Sequence, residues 1–264
     1  MTSLTTGNAK QYGNSQNLAA RARLASQYTV SDRPWFPWIA SHLPLKAGDR
    51  IVDVGCGPAW FWEAVTDAVP RDLDLTLTDL SQGMVDEAMK RCASLPFGSV
   101  SGGVADAAAL PFEDERFDGV VAMHMLYHVA DPVAAVADMF RVLKPGGFLA
   151  VTTNGANNMR RLYELTTTFG GTPYDPAAAA FGFTHAEALL QERFGNVKRY
   201  IHPAHMVVTD PNDVYLALTS FPPGDQAGDD QLSTFKEAIH SAFAEGGGVL
   251  KVQKESGLFL AVKD

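Results

Sequence analysis

Short apolar runs and longer amphipathic segments alternate along the chain, and their order predicts its elements. Residues 51–54, 73–78, 99–104, 117–123 and 148–153 have strand length with an apolar or alternating character, the third being the weakest. Helices are predicted over 59–69, over 84–93, and from Asp131-Pro132 to Val142, each lying between two strands. Ser81 stands where a hydroxyl caps the second of them, and Pro145-Gly146-Gly147 stops the third. Strands and helices in this rhythm call for an α/β fold, a doubly wound parallel sheet with helices on both faces.

Outside this core the pattern loosens. A helix is expected around 159–169, followed by Gly170-Gly171-Thr172-Pro173 and four alanines at 177–180. An interruption as long as 155–182 reads as a lid or substrate-binding insertion. A helix over 184–194 and a strand over 197–201 resume the rhythm. A second insertion, 202–247, holds a helix from Thr209-Asp210-Pro211 towards Phe221 and another over 232–244. The alternating runs 249–252 and 258–262 flank Lys254-Glu255-Ser256-Gly257 and read as a closing hairpin. Ahead of the core, 1–14 reads as a tail and 16–27 as a helix. Tyr28, Asp32, Arg33, Pro34, Trp35 and Phe36 then gather before a helix through Trp38, Ile39 and Leu43, which Ser31 or Asp32 would cap. These aromatics suit core packing as well as the covering of a ligand. The 264 residues therefore read as one domain with an N-terminal helical cap (1–48), a core (49–154) and two insertions.

Composition narrows the function classes more than the fold. Hydrophobic residues make up 46% and charged residues 19%, as in soluble globular proteins. A net charge of -9 argues against nucleic acid as the main partner. Cys56 and Cys92 are too few for a zinc cluster or a disulfide scaffold. No apolar leader or membrane-length run is visible. A cytoplasmic protein, monomer or homodimer, without metal or membrane contact, is the expectation.

The chemistry-bearing residues fall where strands end. Arg50-Ile51-Val52-Asp53-Val54-Gly55-Cys56-Gly57-Pro58-Ala59 joins a strand, a glycine turn and a helix, an arrangement that lets backbone approach a nucleotide-type ligand. Asp79 ends the next strand about 20 residues on, the spacing of an acid that holds ribose hydroxyls. With Asp79-Leu80-Ser81-Gln82-Gly83-Met84, Gly103-Val104-Ala105-Asp106-Ala107, Leu126-Tyr127-His128-Val129-Ala130-Asp131-Pro132 and Arg141-Val142-Leu143-Lys144-Pro145-Gly146-Gly147, the stretch 50–151 resembles the class I S-adenosylmethionine-dependent methyltransferases.

The resemblance implies a seven-stranded, mostly parallel Rossmann-like sheet and S-adenosylmethionine as cofactor. It places Gly55, Gly57 and Asp53 at the amino-acid end, Asp79 at the ribose, and Leu80 and Met84 around the adenine. Asp106 and the Ala107 amide would read the adenine edge and Met123 would lie near the methionyl part; Tyr28, from the aromatic cluster that could cover a ligand, is a further cofactor-binding candidate. Ala59 departs from the family, which usually has a third glycine there. The final glycine of a nicotinamide fingerprint is also missing, since Trp60 occupies that position.

Methyl transfer from a sulfonium needs the acceptor placed in line, and acidic acceptors also need a base. His124 and His128 follow the fourth strand and are the candidate catalytic residues. Tyr127, Asn154 and Asn157, with Asn158 beside them, are candidates for the acceptor, although turn chemistry suits the asparagines equally. His202 and His205 read as loop residues. The expected function is methylation of a small molecule at O, N or C in bacterial secondary or cofactor metabolism. A quinone-pathway C-methyltransferase and a non-catalytic S-adenosylmethionine-binding protein are the alternatives.

Overall fold

The computed structural model describes residues 16–264, so the tail expected over 1–14 lies outside the described residues. The chain runs α1 (Gln16–Tyr28), β1 (Thr29–Val30), α2 (Trp35–Ala40), β2 (Arg50–Val54), α3 (Trp60–Val65), β3 (Asp74–Asp79), α4 (Gln82–Cys92), β4 (Ser99–Val104), β5 (Phe117–Met123), α5 (Pro132–Val142) and β6 (Leu143–Asn154). It continues through α6 (Arg160–Thr166), α7 (Pro176–Phe181), α8 (Phe183–Phe194), β7 (Lys198–Ile201), β8 (His205–Val208), α9 (Pro211–Leu218), α10 (Asp229–Glu245), β9 (Leu250–Gln253) and β10 (Ser256–Val262).

Seven strands form the main sheet in the order β4-β3-β2-β5-β6-β10-β7. Only β10 runs against its neighbours, pairing antiparallel with both β6 and β7. The chain winds from β2 towards β4, then returns to β5 and proceeds the other way. That reversal makes a crevice at the carboxyl ends of β2 and β5, the usual place for a ligand in an open sheet.

Both faces of the sheet are buried, which explains the nearly continuous apolar runs. Successive side chains of a strand point to opposite faces. Val52 and Val54 accordingly join Val120, Ala122, Leu149 and Val151 beneath α5 and α8. Ile51 joins Leu75, Leu77, Val121 and Ala150 with Trp38 and Ile39 of α2 and Phe61 and Trp62 of α3. Full burial of each such large side chain contributes about 1.5–3 kcal/mol. Helix starts agree with the capping expected: Asp131 accepts from the Ala134 amide at 2.9 Å and Asp210 from the Asn212 amide at 2.8 Å. At α2 the N-cap is Pro34, with no side-chain cap; Ser31 instead donates to the Arg33 carbonyl.

A third core lies above the sheet. Leu24 and Tyr28 of α1 pack with Leu162, Met206, Val214, Phe235, Ile239 and Val252 around a small antiparallel sheet of order β1-β8-β9. Residues from the N-terminus and from both insertions thus share one cap. The closing hairpin expected over 249–262 does not form. β9 pairs with β8 in the cap, whereas β10 enters the main sheet. The two residues between them, Lys254 and Glu255, carry the chain from one sheet to the other. The physical reason lies in β10 itself: Leu258, Phe259 and Ala261 are fully buried, as in an interior strand rather than one arm of an exposed hairpin.

Candidate cofactor and acceptor site

The turn after β2 is built from left-handed residues. Gly55, Gly57 and Ala59 have φ of 70°, 52° and 58°. A Cβ on Gly55 would meet Met125 Cβ at 2.8 Å, so both backbone and space require glycine there. Gly57 has no atom within 4 Å of a would-be Cβ, and this open side of the turn is where a ligand has room. Ala59 is 1% exposed and packs into the core of the α2–α3 face. Its methyl therefore costs left-handed strain, about 1–2 kcal/mol, and does not crowd the ligand side.

Two carboxylates support this turn. Asp79 accepts from the Gly57 amide at 3.0 Å and the Ser81 amide at 2.9 Å. Asp53 accepts from the Trp62 indole at 2.8 Å, and its other oxygen is buried without a hydrogen-bond partner. Burial raises Asp79 above the ordinary carboxylate range. It pushes Asp53 up to about 7, with the nearby Asp79 charge adding to the effect and the indole opposing it. Among the described residues, no lysine or arginine offsets either group. Two desolvated acids beside an open glycine suit a ligand that brings positive charge, and the ammonium and sulfonium of S-adenosylmethionine fit that requirement. Cys56, under the same turn, is pushed well up by burial and by both acids, so its thiol is inert.

Leu80 is 38% exposed at the end of β3 and offers an apolar wall. Met84, expected as the opposite wall, is 1% exposed and belongs to the interior beneath α4. Asp106 follows β4, and its side chain accepts from the Ala108 amide at 3.0 Å, which orders a tight turn around buried Ala107. Met123 ends β5, half-buried on the α2 side of the sheet.

The acceptor side begins one residue later. His124 has φ 52°, unusual outside glycine, and its amide is held by both oxygens of Thr152, at 3.1 Å to the carbonyl and 3.0 Å to the hydroxyl. Burial, then the charges of Lys254 and His128, push its imidazole down to about 4. Its ring lies 5.6 Å from that of Trp35, which in turn lies 5.2 Å from His202. His202 lies in the loop between β7 and β8, as expected, and is buried at 2% exposure; its Nε2 contacts the Arg33 carbonyl at 2.9 Å, and Nδ1 is buried without a partner, whereas His205, also expected in a loop, opens β8. Tyr127 is half-buried in a short turn, 6.3 Å from His124, and stacks edge-on against exposed His128. His202 could not be found from local sequence, because only the meeting of α2 with the ends of β5 and β7 brings it and His124 to the same Trp35 ring.

Three expected site residues are engaged elsewhere. Tyr28 is buried in the cap core, and its hydroxyl donates to Asp213 at 2.7 Å, so it is not available to the cofactor. Asn154 donates to buried Asp175 at 2.9 Å and accepts from Ser256 at 2.9 Å. Asn157 is bound through its amide to Glu255 at 2.9 Å. With Asn158, which also donates to Asp175, they fix the loop after β6 rather than face an acceptor. Among the described residues no group of three or more His, Cys, Asp or Glu is placed to hold a metal, and no helix is long and apolar enough to cross a membrane.

The family described as "Methyltransferase domain" matches residues 52–151, which hold the turn, Asp79, Asp106 and His124. The chain is 37% identical over 114 residues to 27-O-demethylrifamycin SV methyltransferase of Amycolatopsis mediterranei, covering 43% of this chain and 41% of that protein. It is 29% identical over 216 residues to demethylmenaquinone methyltransferase of Renibacterium salmoninarum, covering 81% and 82%. The chain thus matches less than half the length of the first relative. Among solved structures, the [4+2]-cyclase SpnF superposes with a TM-score of 0.56 at 20% identity, over 97% of this chain and 95% of that one. That last likeness concerns the fold alone; residues 52–151 match the methyltransferase domain family and carry the motifs of the class I S-adenosylmethionine-dependent methyltransferases.

Proposed function

We propose that this protein transfers a methyl group from S-adenosylmethionine to a small-molecule acceptor. The observation that carries the proposal is the pairing, along one sheet edge, of an open glycine turn backed by Asp53 and Asp79 with the His124 imidazole packed beside the Trp35 indole. The cofactor supplies a methyl already activated by its sulfonium. The protein's part is to hold the donor, orient the acceptor and exclude water. Asp79 would hold the ribose hydroxyls, Asp53 the ammonium, Leu80 one adenine face, and Asp106 with the Ala107 amide the adenine edge. His124, neutral at pH 7 and weakly basic, orients the acceptor by hydrogen bonding rather than by taking its proton.

Labelled-methyl transfer from S-adenosylmethionine into a metabolite extract tests the reading without presuming the acceptor. Label is expected in a small organic product, and its absence from every fraction would overturn the reading. A second reading, methylation of a quinol carbon, is favoured by the long match to a demethylmenaquinone methyltransferase. A C-methylated product from a demethylated menaquinol would select it.

A further inference from the structure

We propose that Trp35 is a positioning residue for the acceptor side: contact with its indole, rather than any hydrogen bond, holds the His124 imidazole in the orientation in which it meets the acceptor. The proposal rests on the methyl-transfer reading above.

His124 needs such a support. Its backbone is fixed, with φ of 52° and an amide bound by both oxygens of Thr152, but that leaves the side-chain torsions unset. Among the described residues no hydrogen bond reaches either ring nitrogen. The contacts of the ring are aromatic: Trp35 at 5.6 Å with a 43° tilt, and Tyr127 at 6.3 Å. Both distances lie within the range, about 4.5–7 Å, at which aromatic rings attract. A hydrogen bond from the protein would have fixed one tautomer and occupied one nitrogen. Contact through the ring leaves both nitrogens for the acceptor, one to donate and one to accept.

Trp35 is itself held in place. Trp38 stacks on it at 5.5 Å with 15° between the planes, and His202 meets it edge-on at 5.2 Å while lying 5.0 Å from Trp38. Because a carbonyl only accepts, the contact of His202 Nε2 with the Arg33 carbonyl puts the ring proton on that nitrogen. The His202 amide donates to the Ser256 carbonyl at the start of β10 at 2.9 Å. His202 thus ties the segment just before Trp35 to the main sheet. Buried Trp38 carries the line of rings on to His42 at 4.5 Å, which meets Tyr200 of β7 at 4.4 Å. The rings run without a break from β7 to His124, and Trp35 is the last of them before the imidazole. Half-buried Trp35 also fills space beside the core, a task that an aliphatic side chain would share. Holding an imidazole by ring contact is a task that it would not, and the two roles part in experiment.

Initial rates of labelled-methyl transfer are measured against dilutions of the metabolite extract at saturating S-adenosylmethionine, with S-adenosylhomocysteine affinity followed by calorimetry. Trp35→Leu is expected to lower the limiting rate by about tenfold with that affinity unchanged. Trp35→Phe, which keeps a ring, should stay within about threefold of the wild type. In the His124→Ala background Trp35→Leu should lower the rate by less than about twofold further, because the group it positions is gone. The ring-proton NMR signals of His124, assigned by their loss in His124→Ala, should move in Trp35→Leu while those of exposed His185 on α8 stay in place. If Trp35→Leu does not fold, Trp35→Met, whose unbranched chain fills irregular space, takes its place in the same cycle. A wild-type rate in the folded variant, an equally large loss that persists without His124, or unmoved His124 signals would overturn the proposal. Failure of the wild type to bind cofactor or to methylate anything in the extract would instead overturn the methyl-transfer reading, and the role of Trp35 with it.

Discussion

At the scale of single residues, the site is defined by buried carboxylates that no described lysine or arginine offsets. Asp53 is raised from an ordinary 3.8 to about 7 because it is buried with only an indole to stabilise its anion. In the free protein this shift works against folding as pH rises: the stability it contributes below its unfolded value is lost as pH climbs through about 7. A cationic ligand reverses the balance by favouring the anion. Cofactor affinity should therefore fall by about tenfold between pH 8 and pH 6, relative to Asp53→Asn, in which that step is absent. Calorimetry at both pH values checks this, and parallel pH profiles for the two proteins would contradict it. His124 moves the other way. Its imidazole stays neutral down to about pH 4, so it imposes no loss of activity between pH 7 and pH 5. His124→Ala should lower kcat by about tenfold or more with cofactor affinity kept; full activity in that variant would remove His124 from the site.

At the scale of elements, the cap is where sequence and structure part. The core strands were legible because Ile51, Val52, Leu75, Val120 and Val121 announce buried strands by themselves, and Ser81 and Asp131 announce their helices. The cap strands were not. β8 spans only His205–Val208, and its partners β1 and β9 are distant in sequence, so no local pattern marks it. Two alternating runs separated by a short link look alike whether they pair with each other or with different sheets. Tyr28 illustrates the consequence. Its position before an aromatic cluster suggested a ligand wall, yet its hydroxyl serves Asp213, which also pairs with Arg23 at 3.1 Å. Tyr28→Phe should therefore lower stability by about 1–2 kcal/mol in urea unfolding and leave cofactor affinity within about twofold. A large loss of affinity would return Tyr28 to the cofactor.

At the scale of the whole molecule, the sheet gathers residues that the sequence scatters. Gly57, Asp79, Asp106 and His124 follow four different strands yet meet along one edge, and each was readable because a motif surrounds it. His202 has no motif; it reaches Trp35 because β7 pairs with β10 at the far side of the sheet. The fold by itself leaves the chemistry open, since unlike reactions share it. The account therefore stands on Asp79 acting as a cofactor ligand rather than as a brace for the turn. Calorimetric titration of S-adenosylmethionine into the wild type and into Asp79→Ala measures this directly. The account predicts binding by the wild type and loss of most of that affinity in a variant that remains folded by circular dichroism. Equal affinity in the two folded proteins would contradict it.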